Sequence, residues 1–176
     1  MADKVDLLTL VRGLTISLFA GSFIIAEMGY LVLNGFQSVF TPFSKFMILL
    51  IYITAFPAYY YYVSSRLPNV WLMKYPVPFA LIIEGIGVVF LFLNNPLSIY
   101  LIVVGYFFEP IAGISLFLGI KNFGLYSKLF IITAWIFGFS LSLFLIGLGI
   151  VPFVTILIKM VDTGLLVLKM EGSLSG

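Results

Sequence analysis

Along the chain, long apolar runs alternate with short polar breaks, and the runs belong to one length class. Six of them lie near 12–34, 45–64, 77–94, 97–119, 128–148 and 151–168. Each offers the roughly 17–25 residues that an α-helix needs to cross a hydrocarbon core of about 30 Å. The pattern predicts an all-α fold: a polytopic transmembrane helical bundle of about six helices in three hairpins, forming one integral-membrane domain over 1–176. The sixth run is interrupted by Lys159 and Asp162. It therefore either spans or lies in the interface as an amphipathic segment.

The breaks carry the orientation signal, because basic residues stay on the cytoplasmic side. Lys4, Arg12, Arg66, Lys74, Lys121, Lys128 and Lys169 fall at one side and only Lys45 at the other. Both termini are predicted to be cytoplasmic, in a multi-pass protein of the cell membrane. Aromatic residues mark the same slab. Tyr59–Tyr60–Tyr61–Tyr62 close the second run, Trp71 and Tyr75 sit in the break after it, and Tyr30 and Tyr100 mark outer ends. A phenol has an apolar ring and a wet hydroxyl, so an interfacial belt accounts for the run of four tyrosines. A ligand-lining role is the alternative.

Composition agrees. Hydrophobic residues make up 62% of the chain and charged residues only 9%, against roughly 25% charged in soluble domains. Mean hydropathy is +1.22. Too few charges remain to solvate a globule, so the surface faces lipid. The net charge of +2 gives no reason to expect nucleic acid. The opening MADKVDLLTLVRG runs straight into a span and has no A-x-A-like cleavage site, so it does not read as a cleaved signal.

Cysteine and histidine are both absent. That removes disulfides, thiolate nucleophiles, Cys/His zinc sites, and haem held through His or Cys. GFSLS at 138–142 lacks the final glycine of a nucleophile elbow, and without histidine no Ser-His pair can form. Ser140 and Ser142 read as helix-packing groups. So do Gly13, Ser17, Ala20 and Gly21 on one face of the first helix. Pro57 removes a backbone bond within the second helix and favours a kink there.

What remains is a set of charges inside the apolar runs. Glu84 and Glu109 are expected close to the midplane and on one level, in neighbouring antiparallel helices joined by Asn94–Asn95–Pro96. Gly105, Glu109 and Gly113 share a helical face, as do Ala80, Glu84 and Gly87; small neighbours turn a carboxylate toward another helix or a cavity. Pro110 leaves the Tyr106 carbonyl without its usual donor. Glu27 lies toward the outer side of the first helix. In the sixth run Thr155, Lys159, Asp162 and Thr163 form one polar stripe. An ionised group at the bilayer centre costs about 2.5–3.5 kcal/mol. Lys159 is therefore expected to pair with Asp162, Glu84 or Glu109, and the remaining acids to be paired or protonated. Such a set can carry protons or hold a ligand carbonyl. It can equally fix helix register, or, for Lys159, Asp162 and Thr155, meet a partner subunit. Glu84-x-Ile86-x-x-Val89-x-Leu91-Phe92-Leu93 also matches Glu109-x-Ile111-x-x-Ile114-x-Leu116-Phe117-Leu118, a hint of duplication.

The stretch Glu109-Pro-Ile-Ala-Gly113-Ile-Ser-Leu116-Phe-Leu118-Gly119, with Lys121 after it, resembles the DoxX/DoxD-like membrane proteins. So does the opening Leu10-Val11-Arg12-Gly13-Leu14 followed by Phe19-Ala20-Gly21. Some members serve sulfur-oxidising archaeal respiration, as the membrane part of a thiosulfate:quinone oxidoreductase or beside a terminal oxidase. The resemblance implies that Glu109 is the acid of the shared motif.

Together these features predict a small subunit of a respiratory electron-transport complex, accessory or quinone- and proton-handling. Its redox cofactors would be carried mainly by partner subunits and it would have no intrinsic activity of its own. Glu84, Glu109 and Glu27 are the quinone, proton or ligand candidates. Lys159, Asp162 and Thr155 are the ion-pair or partner-contact candidates. No metal site is expected, and the bound small molecules are quinone or lipid. Two other classes stay open: a six-helix transporter subunit of the vitamin-uptake type, and a purely structural scaffold.

Overall fold

Asp6 starts the first helix. Its carboxylate accepts the Thr9 hydroxyl (2.7 Å) and the Thr9 N–H (3.1 Å), which satisfies an amide that the first turn would leave unpaired. These bonds hold the exposed Asp6 carboxyl below its usual pKa. The helix therefore begins at Leu7, earlier than hydropathy alone suggested. The computed structural model describes residues 5–174, so Lys4 lies outside the described residues. Six helices long and apolar enough to cross a membrane follow: α1 (Leu7–Asn34), α2 (Pro42–Ser64), α3 (Trp71–Phe92), α4 (Leu97–Phe123), α5 (Leu125–Ile146) and α6 (Ile150–Leu174). Among the described residues there is no strand. The fold is an all-α polytopic bundle.

The boundaries have local causes. Pro42 and Pro76 stand in first turns, where a missing N–H costs nothing. Gly35 (φ 82°) follows α1, Asn94 (φ 57°) follows α3, and Gly147 (φ 81°) follows α5; all three leave the helix through left-handed backbone. The Asn95 side chain then accepts the Leu97 N–H (3.0 Å) to start α4. Trp71–Lys74, expected in a loop, is one helical turn ahead of Pro76. α6 runs to Leu174, past the expected 168. α2 continues through Pro57.

Consecutive helices pack side by side, and α6 returns to pack on α1, so the six close a ring in chain order. Close approach is made by small residues, as dispersion contacts between membrane helices require. A Cβ on Gly13 would lie 2.8 Å from the Tyr62 ring, one on Gly21 would strike Met160, and one on Gly138 would lie 2.9 Å from Pro110. Ser140 is buried and donates to the Phe137 carbonyl (3.0 Å), a local bond consistent with a packing role.

One end of the ring gathers the basic breaks. The Asp6 N–H donates to the Ser65 carbonyl (2.9 Å), the Ser115 hydroxyl donates to the Pro68 carbonyl (2.8 Å), and the Lys169 ammonium lies over the Tyr126 ring (4.8 Å). At the opposite end Lys45 donates to the Asn94 side chain (2.8 Å) in the α3–α4 turn. Two buried apolar clusters occupy the interior. Leu10, Leu14, Leu116, Ile120 and Leu166 belong to the one at the basic end; Met28, Leu91, Phe137 and Ile156 belong to the other. The polar side chains lie between them. Phe19, Ile82, Ile132 and Val161 are among the many large apolar side chains exposed on the outer face, as a lipid-facing surface demands.

Candidate functional site at the break in helix four

α4 is not continuous. Pro110 has no N–H for the Tyr106 carbonyl and crowds the residue before it. The N–H groups of Phe107 and Phe108 instead make tighter bonds to Val104 (3.2 Å) and Gly105 (3.1 Å). A first half, Leu97–Tyr106, ends there, and a second, Glu109–Ile120, begins with Glu109 and Pro110 in its opening turn. The expected loss of the donor to Tyr106 is thus a break in the helical hydrogen bonding at Phe107 and Phe108, whose backbone stays right-handed helical. It sets Glu109 at a helix N-terminus inside the ring.

Lys159 of α6 donates to Oε1 of Glu109, forming the single salt bridge among the described residues. Lys159 is 14% exposed and Glu109 34%, both toward the interior. Of the three acids expected as partners for Lys159, Glu109 is the one found. The ammonium also stands over the Phe137 ring at 5.0 Å, a favourable position for a cation beside a π-face. The second oxygen of Glu109 has no hydrogen-bond partner.

Beside this pair lies a cavity of about 210 Å³ to which all six helices contribute. Its polar groups are Ser17, Tyr59, Tyr62, Glu84, Tyr106, Glu109, Lys159 and Thr163, and the rest of its wall is apolar, with Phe108 and Phe130 among it. Glu84 comes from α3 and rests on Gly105, one turn before Glu109. A Cβ at position 105 would stand 2.6 Å from its Oε1 and 2.8 Å from its Cδ. Glu84 makes no hydrogen bond or ion pair among the described residues. The two glutamates meet at neighbouring turns of one cavity, close to the level expected. Gly105 faces Glu84, whereas Gly113 faces Ile131 of α5. Ala80 lines the cavity with Glu84, whereas Gly87 backs onto the Ser98 carbonyl (3.2 Å from a Cβ placed there).

The other candidates are placed differently. Glu27 is 4% exposed, its Oε1 accepts the Ser44 hydroxyl, and its Oε2 is unpartnered. Asp162 is 5% exposed with neither oxygen partnered. Thr155 is buried and donates to the Val151 carbonyl (2.9 Å), and Thr163 donates to the Lys159 carbonyl (2.7 Å). The stripe on α6 therefore turns into the bundle, and the contact surface expected of Thr155 and Asp162 is internal. The run of four tyrosines divides. Tyr60 is 66% exposed, as a belt residue is. Tyr62 is buried, shares a 2.5 Å hydrogen bond with Ser17, and lines the cavity with Tyr59. Sequence reasoning passed over Ser44 and the phenol of Tyr106. Ser44 follows Pro42 by two residues, in the first turn of a helix, and gives no signal of its own.

The arrangement offers an ammonium, two carboxyls and the hydroxyls of Ser17, Tyr59, Tyr62, Tyr106 and Thr163 to a largely apolar chamber. It can bind a small polar head with carbonyl oxygens, and it can exchange protons with that head. No group of three or more acids, cysteines or histidines stands close enough to hold a metal among the described residues. No protein-family model, curated protein or solved structure matches the chain.

Proposed function

We propose that the chain is a quinone- and proton-handling subunit of a respiratory complex of the cell membrane, with redox cofactors carried mainly by partner subunits. The observation that carries the reading is the Lys159–Glu109 pair at the break of α4, facing a largely apolar chamber that Glu84 also lines. A quinone head has two carbonyl oxygens and an apolar tail. Lys159 would donate to one carbonyl, and Glu84 or Glu109 would carry the protons that accompany reduction. The volume of about 210 Å³ suits a head group more than a whole drug-sized ligand, which needs roughly 300–1,000 Å³. The resemblance of the Glu109 motif to DoxX/DoxD-like proteins points the same way, as does a sequence without His or Cys.

Purification from native membranes in mild detergent tests this reading. Redox subunits should co-purify with a visible absorption spectrum, and solvent extraction should release quinone. A lone colourless protein that binds no short-chain benzoquinone analogue overturns it.

A second reading, a small-molecule transporter subunit, is favoured by the interrupted helix, since broken helices build substrate sites near the midplane in transporters. Co-purifying ATPase subunits, and a bound small molecule in native mass spectrometry, would select it.

A further inference from the structure

A second cavity, of about 100 Å³, lies toward the end opposite the basic breaks. It is walled by the outer half of α1, the segment Phe36–Val39, the first turns of α4 and the last turns of α5. Its lining is apolar except for Glu27, Tyr52, Glu84 and Tyr106. Glu84 and Tyr106 also line the larger cavity. The two chambers are therefore stacked along the ring axis and share one partition.

We propose that the smaller cavity is a proton-uptake chamber that feeds the larger one through Glu84. The proposal rests on the quinone- and proton-handling reading above and adds the side from which the proton comes.

The chamber is built for this. Glu27 is almost wholly buried in the ring, Ser44 holds one of its oxygens, and the other is left without a partner in a cavity wall. A buried carboxyl oxygen with no protein partner calls for water or a proton. The space is ample, since a single water needs only about 10–15 Å³ and two to four polar partners. Glycines keep the partition open. Gly105 leaves room for the Glu84 carboxyl, and a Cβ on Gly85 would stand 2.5 Å from the Tyr52 hydroxyl oxygen. One proton leaves Oε2 of Glu27 through water to the Glu84 carboxylate and goes from there to Glu109. Glu109 passes it to the quinone head or to water in the larger cavity, while water in the smaller chamber returns a proton to Glu27. Protonation of Glu109 frees the Lys159 ammonium. No electron moves, and only O–H bonds are exchanged.

The test uses the purified full chain in phosphatidylcholine vesicles that enclose a pH dye, with a potassium gradient and valinomycin driving protons inward. The parent should pass protons. Glu27→Gln and Glu84→Gln should each lower the flux at least tenfold, while Glu27→Gln leaves the affinity for a short-chain benzoquinone analogue within twofold. Ile99→Trp, which fills the smaller chamber and replaces no carboxyl, should lower the flux equally and covers the case in which Glu27→Gln does not fold. Parent-like flux in these variants overturns the proposal, as does a parent that passes no protons with or without the analogue. Failure of the analogue to bind, with flux still dependent on Glu27, would sink the quinone reading and leave this route standing.

Discussion

Two stretches of this chain start from the same pattern and end as different structures. Glu84-Gly-Ile and Glu109-Pro-Ile each lead into a matching run that closes on Leu-Phe-Leu. In α3 the glutamate is followed by glycine, the helix runs straight through, and the carboxyl lies unpaired on Gly105. In α4 it is followed by proline, the helix breaks, and the carboxyl opens a new helix facing Lys159. One residue decides whether an acid in a membrane helix is a side group on a cylinder or the head of a half-helix. A carboxylate at such an N-terminus is favoured by the unpaired amides and dipole there. Both this and the ammonium suit a carboxylate at Glu109.

The largest effect should come from removing the cation. Lys159→Met leaves Glu109 beside an apolar wall, and breaking a fully buried pair costs about 3–5 kcal/mol. The expected loss is toward the lower end, because a third of Glu109 faces the cavity. Denaturant titration in detergent should show it. Lys159→Met with Glu109→Gln should recover most of the loss; equal losses in the single and double variants would mean that the pair is not what holds α6.

Next comes the seat of Glu84. Gly105→Ala places a methyl against the carboxyl, and overpacking of this kind costs roughly 1–3 kcal/mol. Gly164, where an added Cβ would meet nothing within 4 Å, is the control. Gly164→Ala should be neutral or stabilising by up to about 1 kcal/mol. A Gly105→Ala protein as stable as the parent would show that Glu84 moves away freely.

Pro110→Ala makes the two stretches alike. It restores an amide for the Tyr106 carbonyl, so helicity should rise slightly in circular dichroism. Affinity for the benzoquinone analogue should fall about tenfold, or about 1.4 kcal/mol, as Glu109 loses its place at a helix start. Unchanged affinity would detach the site from the break.

The smallest effect lies outside the membrane. The Thr9 hydroxyl and amide hold the Asp6 carboxyl below its usual pKa. Its contribution to α1 is therefore present above the ordinary carboxylate range and fades as pH falls through the folded value. Asp6→Asn should flatten that acid limb of the melting curve; a limb that persists belongs to another carboxyl.

Much of this was legible in the chain itself. Runs of apolar residues long enough for a bilayer give six helices, because a span must satisfy every backbone group internally and so must be helical. The acids, the single internal lysine and Pro110 could be named in advance, since each stands out as a costly exception in an apolar run. The helix starts were less legible. Asp6 starts α1 ahead of Arg12 through its capping bonds, and α3 starts at Trp71, ahead of Lys74, with no side-chain cap.

Partner choice was not legible. Lys159 had three acids within plausible reach along the sequence, and only the ring closure of α6 on α1 and α5 brought it to Glu109. The same closure turned Asp162 and Thr155 inward, while the packing of α1 on α2 buried Tyr62 against Gly13 and Ser17, left Tyr60 outside, and joined Glu27 to Ser44. The sequence by itself determined the solvent, the helices and the exceptional residues, because lipid imposes length and apolarity residue by residue. The tertiary structure decided which exceptions meet and what space they enclose. Those outcomes depend on the rotation of each helix about its own axis, which in a chain apolar on nearly every face is set by its neighbours.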